Sequence, residues 1–157
     1  MWESYKYPQD QVVYLWEDKT LHCWYRSRPD LTLNQCRDLV EIICAKFDIF
    51  SPKVKDGRGC RQATATRYCI QMPRYSRCEI VVLHECAHVI QYEIRDDSNH
   101  EEEFMGIYIC LLEMFMKCSR AELERCMKQY NVRQQRLTFQ DITKLLKSSK
   151  HRSALPV

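Results

Sequence analysis

The residues of this chain best suited to chemistry are two histidines four positions apart with a glutamate between them, His84-Glu85-Cys86-Ala87-His88. On an α-helix successive residues turn by about 100°, so His84 and His88 stand one above the other with Glu85 beside them. Two imidazoles placed this way can share one metal ion, with the carboxylate in reach of its water. The chemistry suggested is zinc-assisted hydrolysis of the peptidase kind. Single histidines beside apolar residues more often serve as core groups, and a five-residue match also arises by chance. Here the flanking run from Val81 to Ile90 supplies the helix the motif needs. Val82, Leu83, Cys86, Ala87, Val89 and Ile90 fall on the opposite arc, which predicts a burial face with Cys86 near its middle.

Two ligands do not complete a catalytic zinc site, which takes three protein ligands and keeps a fourth position for water. The other histidines are His22, His100 and His151, and Asp96, Asp97, Glu101, Glu102 and Glu103 are the carboxylate competitors. His100 follows His88 by twelve residues. That is enough for the chain to leave one helix, loop back and present a side chain at the start of the next, so His100 is the preferred third ligand. A glutamate of the 101–103 triplet is the main alternative. His22 comes from a distant predicted strand, and His151 lies in a tail expected to be mobile.

The elements that must position these groups follow in chain order. Val12 to Trp16 is β-branched and aromatic and predicts a first strand, which residues 22–25 continue. A helix is predicted from Thr32 to Phe47, with Thr32 as N-cap and Gln35 as its capping-box partner. Asp56-Gly57 carries a hairpin-turn signal. Residues 61–72 predict one or two strands, the last at Tyr68 to Met72, whose edge could pair with an extended peptide above the site. Ser76 or Arg77 is expected to cap the motif helix, with Glu79 in its first turn. A second apolar helix is expected from Glu101 to Lys117, capped by Ser98 with Glu101, with Phe104, Tyr108, Leu111, Leu112 and Phe115 as its buried stripe. Shorter helices follow at 120–130 and 138–146.

At 157 residues, 45% of them hydrophobic, the chain is of single-domain size. One domain spanning 1–157 is expected, with a compact core over about 12–132 and a C-terminal helix and mobile tail over 138–157. The net charge of +3 is mild. Residues 53–77 and 144–152 are basic, weak support for contact with DNA or a DNA-associated protein. The first ten residues do not read as a signal peptide, and the run from Phe104 to Met116 is too short to span a membrane. A cytoplasmic location without membrane contact is expected. The ten cysteines form no Cys-x-x-Cys pair and are expected to be reduced and largely buried.

His84-Glu85-Cys86-Ala87-His88, a short loop, and then His100 followed by Phe104 and Tyr108 resemble the SprT-like peptidases. More closely they resemble a small bacterial and phage family of zincin metallohydrolases, whose motif helix is followed by a histidine, usually His-Gly, and by a phenylalanine four residues on. The resemblance runs from about Val12 to Val132 and is most specific over residues 61–108. It implies zinc on His84, His88 and His100, Glu85 as catalytic base, Phe104 packed beneath the ligands, and a virion-associated location if the protein is phage-encoded. Glu101 departs from the pattern by standing where glycine is usual, and a carboxylate there could crowd or join the metal.

The expected architecture is an α+β, zincin-like minimal metallopeptidase domain, with a mixed sheet of three or four strands packed with helices. The expected function is zinc-dependent hydrolysis of a peptide or protein substrate. The alternatives are a non-catalytic zinc domain that binds a protein or DNA, with Glu101 or Cys60 closing the site, and a small-molecule amidase. Tyr75, Tyr92 and Tyr108 are candidate oxyanion donors, Tyr108 fitting the core better. Asp96, Asp97 and Glu113 are candidate partners for the imidazole N–H groups.

Overall fold

The computed structural model describes residues 9–153, with side chains through residue 150. These residues form a small mixed α+β domain of a three-stranded sheet and several helices. The order is α1 (Asp10–Lys19), α2 (Leu21–Trp24), α3 (Leu33–Lys46), β1 (Lys53–Lys55), β2 (Thr64–Ala65), β3 (Cys69–Gln71), a 3₁₀ turn (Arg74–Ser76), α4 (Glu79–Arg95), α5 (Glu102–Met116), α6 (Arg120–Gln129) and α7 (Phe139–Ser153). The motif helix α4 is the hub, packed along α5 and flanked by α3, α7 and β2.

The first expected strand is instead helix α1, and residues 22–25 belong to α2 and its C-terminal cap. Val13, Trp16, Glu17 and Thr20 are buried, a spacing of three and four that only a helix presents on one side. β-Branched and aromatic composition is a weak preference that burial of such a face overrides. Gln9 anchors the start of α1. Its Nε2 donates to the carbonyls of His100 (2.9 Å) and Arg133 (3.0 Å), and its Oε1 accepts from the Arg133 N–H (2.8 Å).

Helix α3 forms where its signals predict. The Thr32 hydroxyl accepts from the Gln35 N–H (3.1 Å) while Gln35 Oε1 accepts from the Thr32 N–H (2.8 Å), a complete capping box. Asp56-Gly57 forms no hairpin; the turn falls later in the chain, with Arg58-Gly59 at its centre and the Cys60 N–H bonded to the Gly57 carbonyl (2.9 Å), and β1 pairs parallel with β3, in register Val54↔Ile70, which needs a crossover. Gly57 is required there by its φ of +67° and by a Cβ position only 2.6 Å from the Pro73 nitrogen. β2 pairs antiparallel with β3, so the sheet order is β1-β3-β2. β3 is thus the central strand with both edges covered, and the free edge nearest the motif helix belongs to β2.

Cys78, not Ser76 or Arg77, is the N-cap of α4, and Arg77 instead donates to the Met72 carbonyl (3.0 Å) and pairs with Asp56 (2.7 Å). At the other end Asp96 takes a left-handed φ of +59°, and Arg67 clamps this terminus through Glu93 (3.1 Å), Asp96 and the Tyr92 carbonyl. The expected Ser98 cap of α5 is replaced by Glu101 at the N-cap, with the Asn99 side chain accepting from the Glu101 N–H (3.0 Å). α5 is buried on nearly all sides from Phe104 to Leu112, with Phe115 only half-buried. α7 continues through Ser153, so the stretch expected to be mobile is helical to that point; residues 154–157 and the side chain of His151 lie outside the described residues.

Gly106 is a packing requirement. A Cβ there would stand 1.9 Å from the Gln135 carbonyl oxygen, in a segment bonded to α5 by the Gln135 N–H to the Glu102 carbonyl (2.8 Å). Gly106→Ala gains about 1 kcal/mol in helix preference but forces this backbone apart. The expected net result is a loss of about 1–3 kcal/mol in urea unfolding. An unchanged midpoint would contradict the close approach.

All ten cysteines are free thiols, and six of them are buried. Burial pushes the thiols of Cys36, Cys44 and Cys110 up to about 11, which keeps them protonated and unreactive. No helix among the described residues is long and apolar enough to cross a membrane.

Candidate metal centre

The helical spacing of His84 and His88 sets their rings on the side of α4 that faces the loop into α5. That loop returns His100 to them. His84 Nε2 lies 3.0 Å and His88 Nε2 3.1 Å from His100 Nε2, and the three candidate ligand atoms all fall within 4.8 Å of one another. His84 and His100 are buried and His88 is half-buried. Phe104, in the first turn of α5, packs against all three rings, at centroid distances of 5.1 Å from His84, 4.5 Å from His88 and 4.9 Å from His100.

Each ring is held through its other nitrogen. His84 Nδ1 meets Glu17 Oε1 (3.2 Å), His100 Nδ1 meets Asp10 Oδ1 (2.9 Å) and His88 Nδ1 meets Ser98 Oγ (2.5 Å). A carboxylate only accepts, so the first two nitrogens carry hydrogen. The third follows from a chain of bonds. Gln91 Nε2 donates to Glu103 (3.2 Å), which leaves Gln91 Oε1 to accept from the Ser98 hydroxyl (2.9 Å), so the Ser98 oxygen accepts from His88. All three Nε2 lone pairs therefore point at one another.

Such convergence is repulsive unless a cation or proton sits among the lone pairs. For zinc at about 2.0–2.1 Å from each nitrogen, ligand nitrogens at tetrahedral corners would stand roughly 3.3 Å apart. The observed 3.0 and 3.1 Å are close to that, so the donor set fits a metal ion. Burial lowers the pKa of His84, but the Glu17 carboxylate outweighs it and brings the value to about 8. Burial and the neighbouring His84 hold His88 well below its ordinary range and His100 down to about 4. Of the three rings His84 thus has the greatest affinity for a proton, and a cation bound among the Nε2 atoms would compete with that proton.

The orienting carboxylates are not those expected. Asp96 is engaged by Arg67, Asp97 accepts from the Ser98 N–H (2.8 Å) and Glu113 pairs with Arg120 (3.0 Å). Asp10 and Glu17 come instead from α1, where a spacing of seven residues sets them on one side with Tyr14 between them. That spacing is visible in the sequence, but only if residues 10–19 are taken as a helix. Ser98 and Gln91 were equally hidden, because their roles depend on how the loop folds back over α4. Tyr108 is a core residue whose hydroxyl donates to Glu17 (2.6 Å).

Glu101 does not join the ligand group among the described residues; its Oε2 faces Arg133 at 3.6 Å. Nor does Cys60, whose carbonyl accepts from the Tyr75 hydroxyl. His22 sits on α2 and lines a cavity of about 160 Å³ together with Tyr14, Gln62, Ala63, His84 and Glu85. Tyr14 stacks on His84 (5.8 Å) and meets the edge of His100 (4.9 Å), and its hydroxyl is held protonated by burial and then by the nearby Glu85. Glu85 forms no hydrogen bond or ion pair with another described residue. Burial lifts its carboxyl to about 7, against the pull of His84 and with a further push from Glu17.

Comparison of the chain with protein-family models, with curated proteins and with solved structures finds no match. What stands on geometry alone is a buried three-histidine cluster able to coordinate a metal ion, beside a cavity that a carboxylate enters.

Proposed function

We propose that this chain is a zinc-dependent hydrolase of the zincin type, akin to the SprT-like peptidases, that cleaves peptide bonds. The observation that carries this reading is Glu85. It is a buried carboxylate without a protein partner among the described residues, one position along α4 from a ligand histidine and lining the same cavity as His84. A metal site that only braces a fold has no need of such a group. Only three histidines make up the ligand group among the described residues, which suits a site that keeps a position for water.

His84, His88 and His100 would hold the zinc, which when bound supplies Lewis acidity, bringing the pKa of a water from about 15.7 towards about 7 and polarising a carbonyl. Glu17, Asp10 and Ser98 fix the three rings so that their Nε2 atoms stay aimed at one point. Glu85 accepts a proton from the attacking water at its carboxylate and returns it to the leaving nitrogen. The outer edge of β2, next to Gln62 and Ala63 in the cavity wall, is where an extended peptide would pair its backbone.

Elemental analysis is expected to find one zinc per chain after purification in zinc. Peptide cleavage should vanish on treatment with a chelator and return when zinc is restored. Cleavage indifferent to chelation would overturn the reading.

A further inference from the structure

Addition of water to a carbonyl places negative charge on the carbonyl oxygen, and one protein donor aimed at that oxygen is worth about 10²–10³-fold in rate. The cavity at Glu85 has no lysine or arginine in its wall, and Glu17 and Glu85 there are of the wrong sign. A neutral donor is what the cavity calls for. Of the tyrosines expected to serve, Tyr108 gives its hydroxyl to Glu17 (2.6 Å), Tyr75 gives its hydroxyl to the Cys60 carbonyl, and Tyr92 lies outside the cavity wall.

Tyr14 meets the requirement through the geometry of α1. It follows Asp10 by four residues and precedes Glu17 by three, so the three side chains share one side of the helix. Asp10 holds His100 Nδ1 (2.9 Å) and Glu17 holds His84 Nδ1 (3.2 Å), which sets Tyr14 against two ligand rings. Its ring stacks on His84 at 5.8 Å and 16° and meets the edge of His100 at 4.9 Å. The side chain is 39% exposed and borders the cavity beside Glu85, so it is anchored by its ring and open at the cavity. His22, the other aromatic donor in the wall, makes no ring contact with a ligand histidine.

The Tyr14 hydroxyl makes no hydrogen bond with another described residue. A phenol is protonated at neutral pH, so its hydrogen is present and unspent. A donor fixed in advance needs no rearrangement when charge develops in front of it.

We propose that Tyr14 is a catalytic residue whose hydroxyl donates a hydrogen bond to the carbonyl oxygen of the scissile bond as that oxygen gains negative charge. The phenol keeps its proton throughout, and Glu85 alone carries the proton from water to the leaving nitrogen. The inference rests on the peptide-hydrolase reading above.

The test compares Tyr14→Phe with wild type, both loaded with zinc. Phenylalanine keeps the ring against His84 and His100, so zinc affinity, read by competition with a chelating dye, should not change. Two probes are then bound at equilibrium. One is a hexaalanine peptide, bound in the Glu85→Gln background, which does not turn it over. The other is the same peptide with its central amide replaced by an anionic phosphonamidate, which carries the charge of the transition state. The phosphonamidate is expected to bind Tyr14→Phe about 10²-fold more weakly than wild type, and the plain peptide equally well with or without the hydroxyl. With labelled casein as substrate, kcat should fall by about 10²–10³-fold at unchanged KM. Equal weakening of both probes, unchanged phosphonamidate binding or a loss of zinc, while wild type still cleaves casein, overturns the role of Tyr14 and leaves the hydrolase reading in place. A wild-type protein that neither prefers the phosphonamidate nor cleaves casein overturns the hydrolase reading itself, and the assignment of Tyr14 falls with it.

Discussion

Glu85→Gln is expected to retain one zinc per chain while peptide turnover falls by about 10²–10⁴-fold, the usual range for loss of a general base. The substitution keeps the shape of the side chain and removes its charge and proton affinity. Glu85 lines the cavity and touches no other described residue through a hydrogen bond or ion pair, so the amide breaks no internal contact. Exchanging a buried carboxylate for a neutral group removes a desolvation cost, so thermal stability should hold or rise slightly. Zinc content, melting temperature and kcat measured on one preparation separate chemistry from folding. Peptide cleavage at the wild-type rate would remove Glu85 from the mechanism.

Glu17→Leu is expected to weaken zinc affinity by about 10–100-fold, the range found when an orienting partner of a ligand histidine is lost. Glu17 is 5% exposed and accepts from both His84 Nδ1 (3.2 Å) and the Tyr108 hydroxyl (2.6 Å). Leucine leaves two buried donors, and Tyr108 then keeps only the Ile80 carbonyl at 3.4 Å. Each unsatisfied donor costs about 1–3 kcal/mol, so a fall in stability should accompany the loss of affinity. Glu17→Gln retains an acceptor oxygen and should lie between leucine and wild type. Competition with a chelating dye measures all three proteins. Equal affinities for wild type and Glu17→Leu would detach α1 from the metal centre.

The two substitutions differ in how well the sequence exposes them. Glu85 sits inside a local motif whose geometry follows from helical rotation alone, and His100 follows from the length of one loop. The capping box at Thr32 and Gln35 and the apolar stripe of α5 are equally local, because each is decided by neighbours three or four residues away. Glu17 belongs to a segment rich in strand-forming residues. There the local preference is outweighed by burial of Val13 and Trp16 and by the match of Asp10 and Glu17 to histidines more than sixty residues away.

By itself the sequence determined the motif helix, the pair His84 and His88 with Glu85 beside them, and the apolar face that embeds them, since all depend on a repeat of 3.6 residues within one element. Only the tertiary structure decided that α1 is a helix laid against the ligands and that β3 lies inside the sheet. It also turned Glu101 towards Arg133 and placed Asp10, Glu17 and Ser98 behind the three rings. The physical reason is common to these cases. A buried imidazole N–H must find an acceptor wherever the packed chain can bring one, and no local pattern specifies which distant residue arrives.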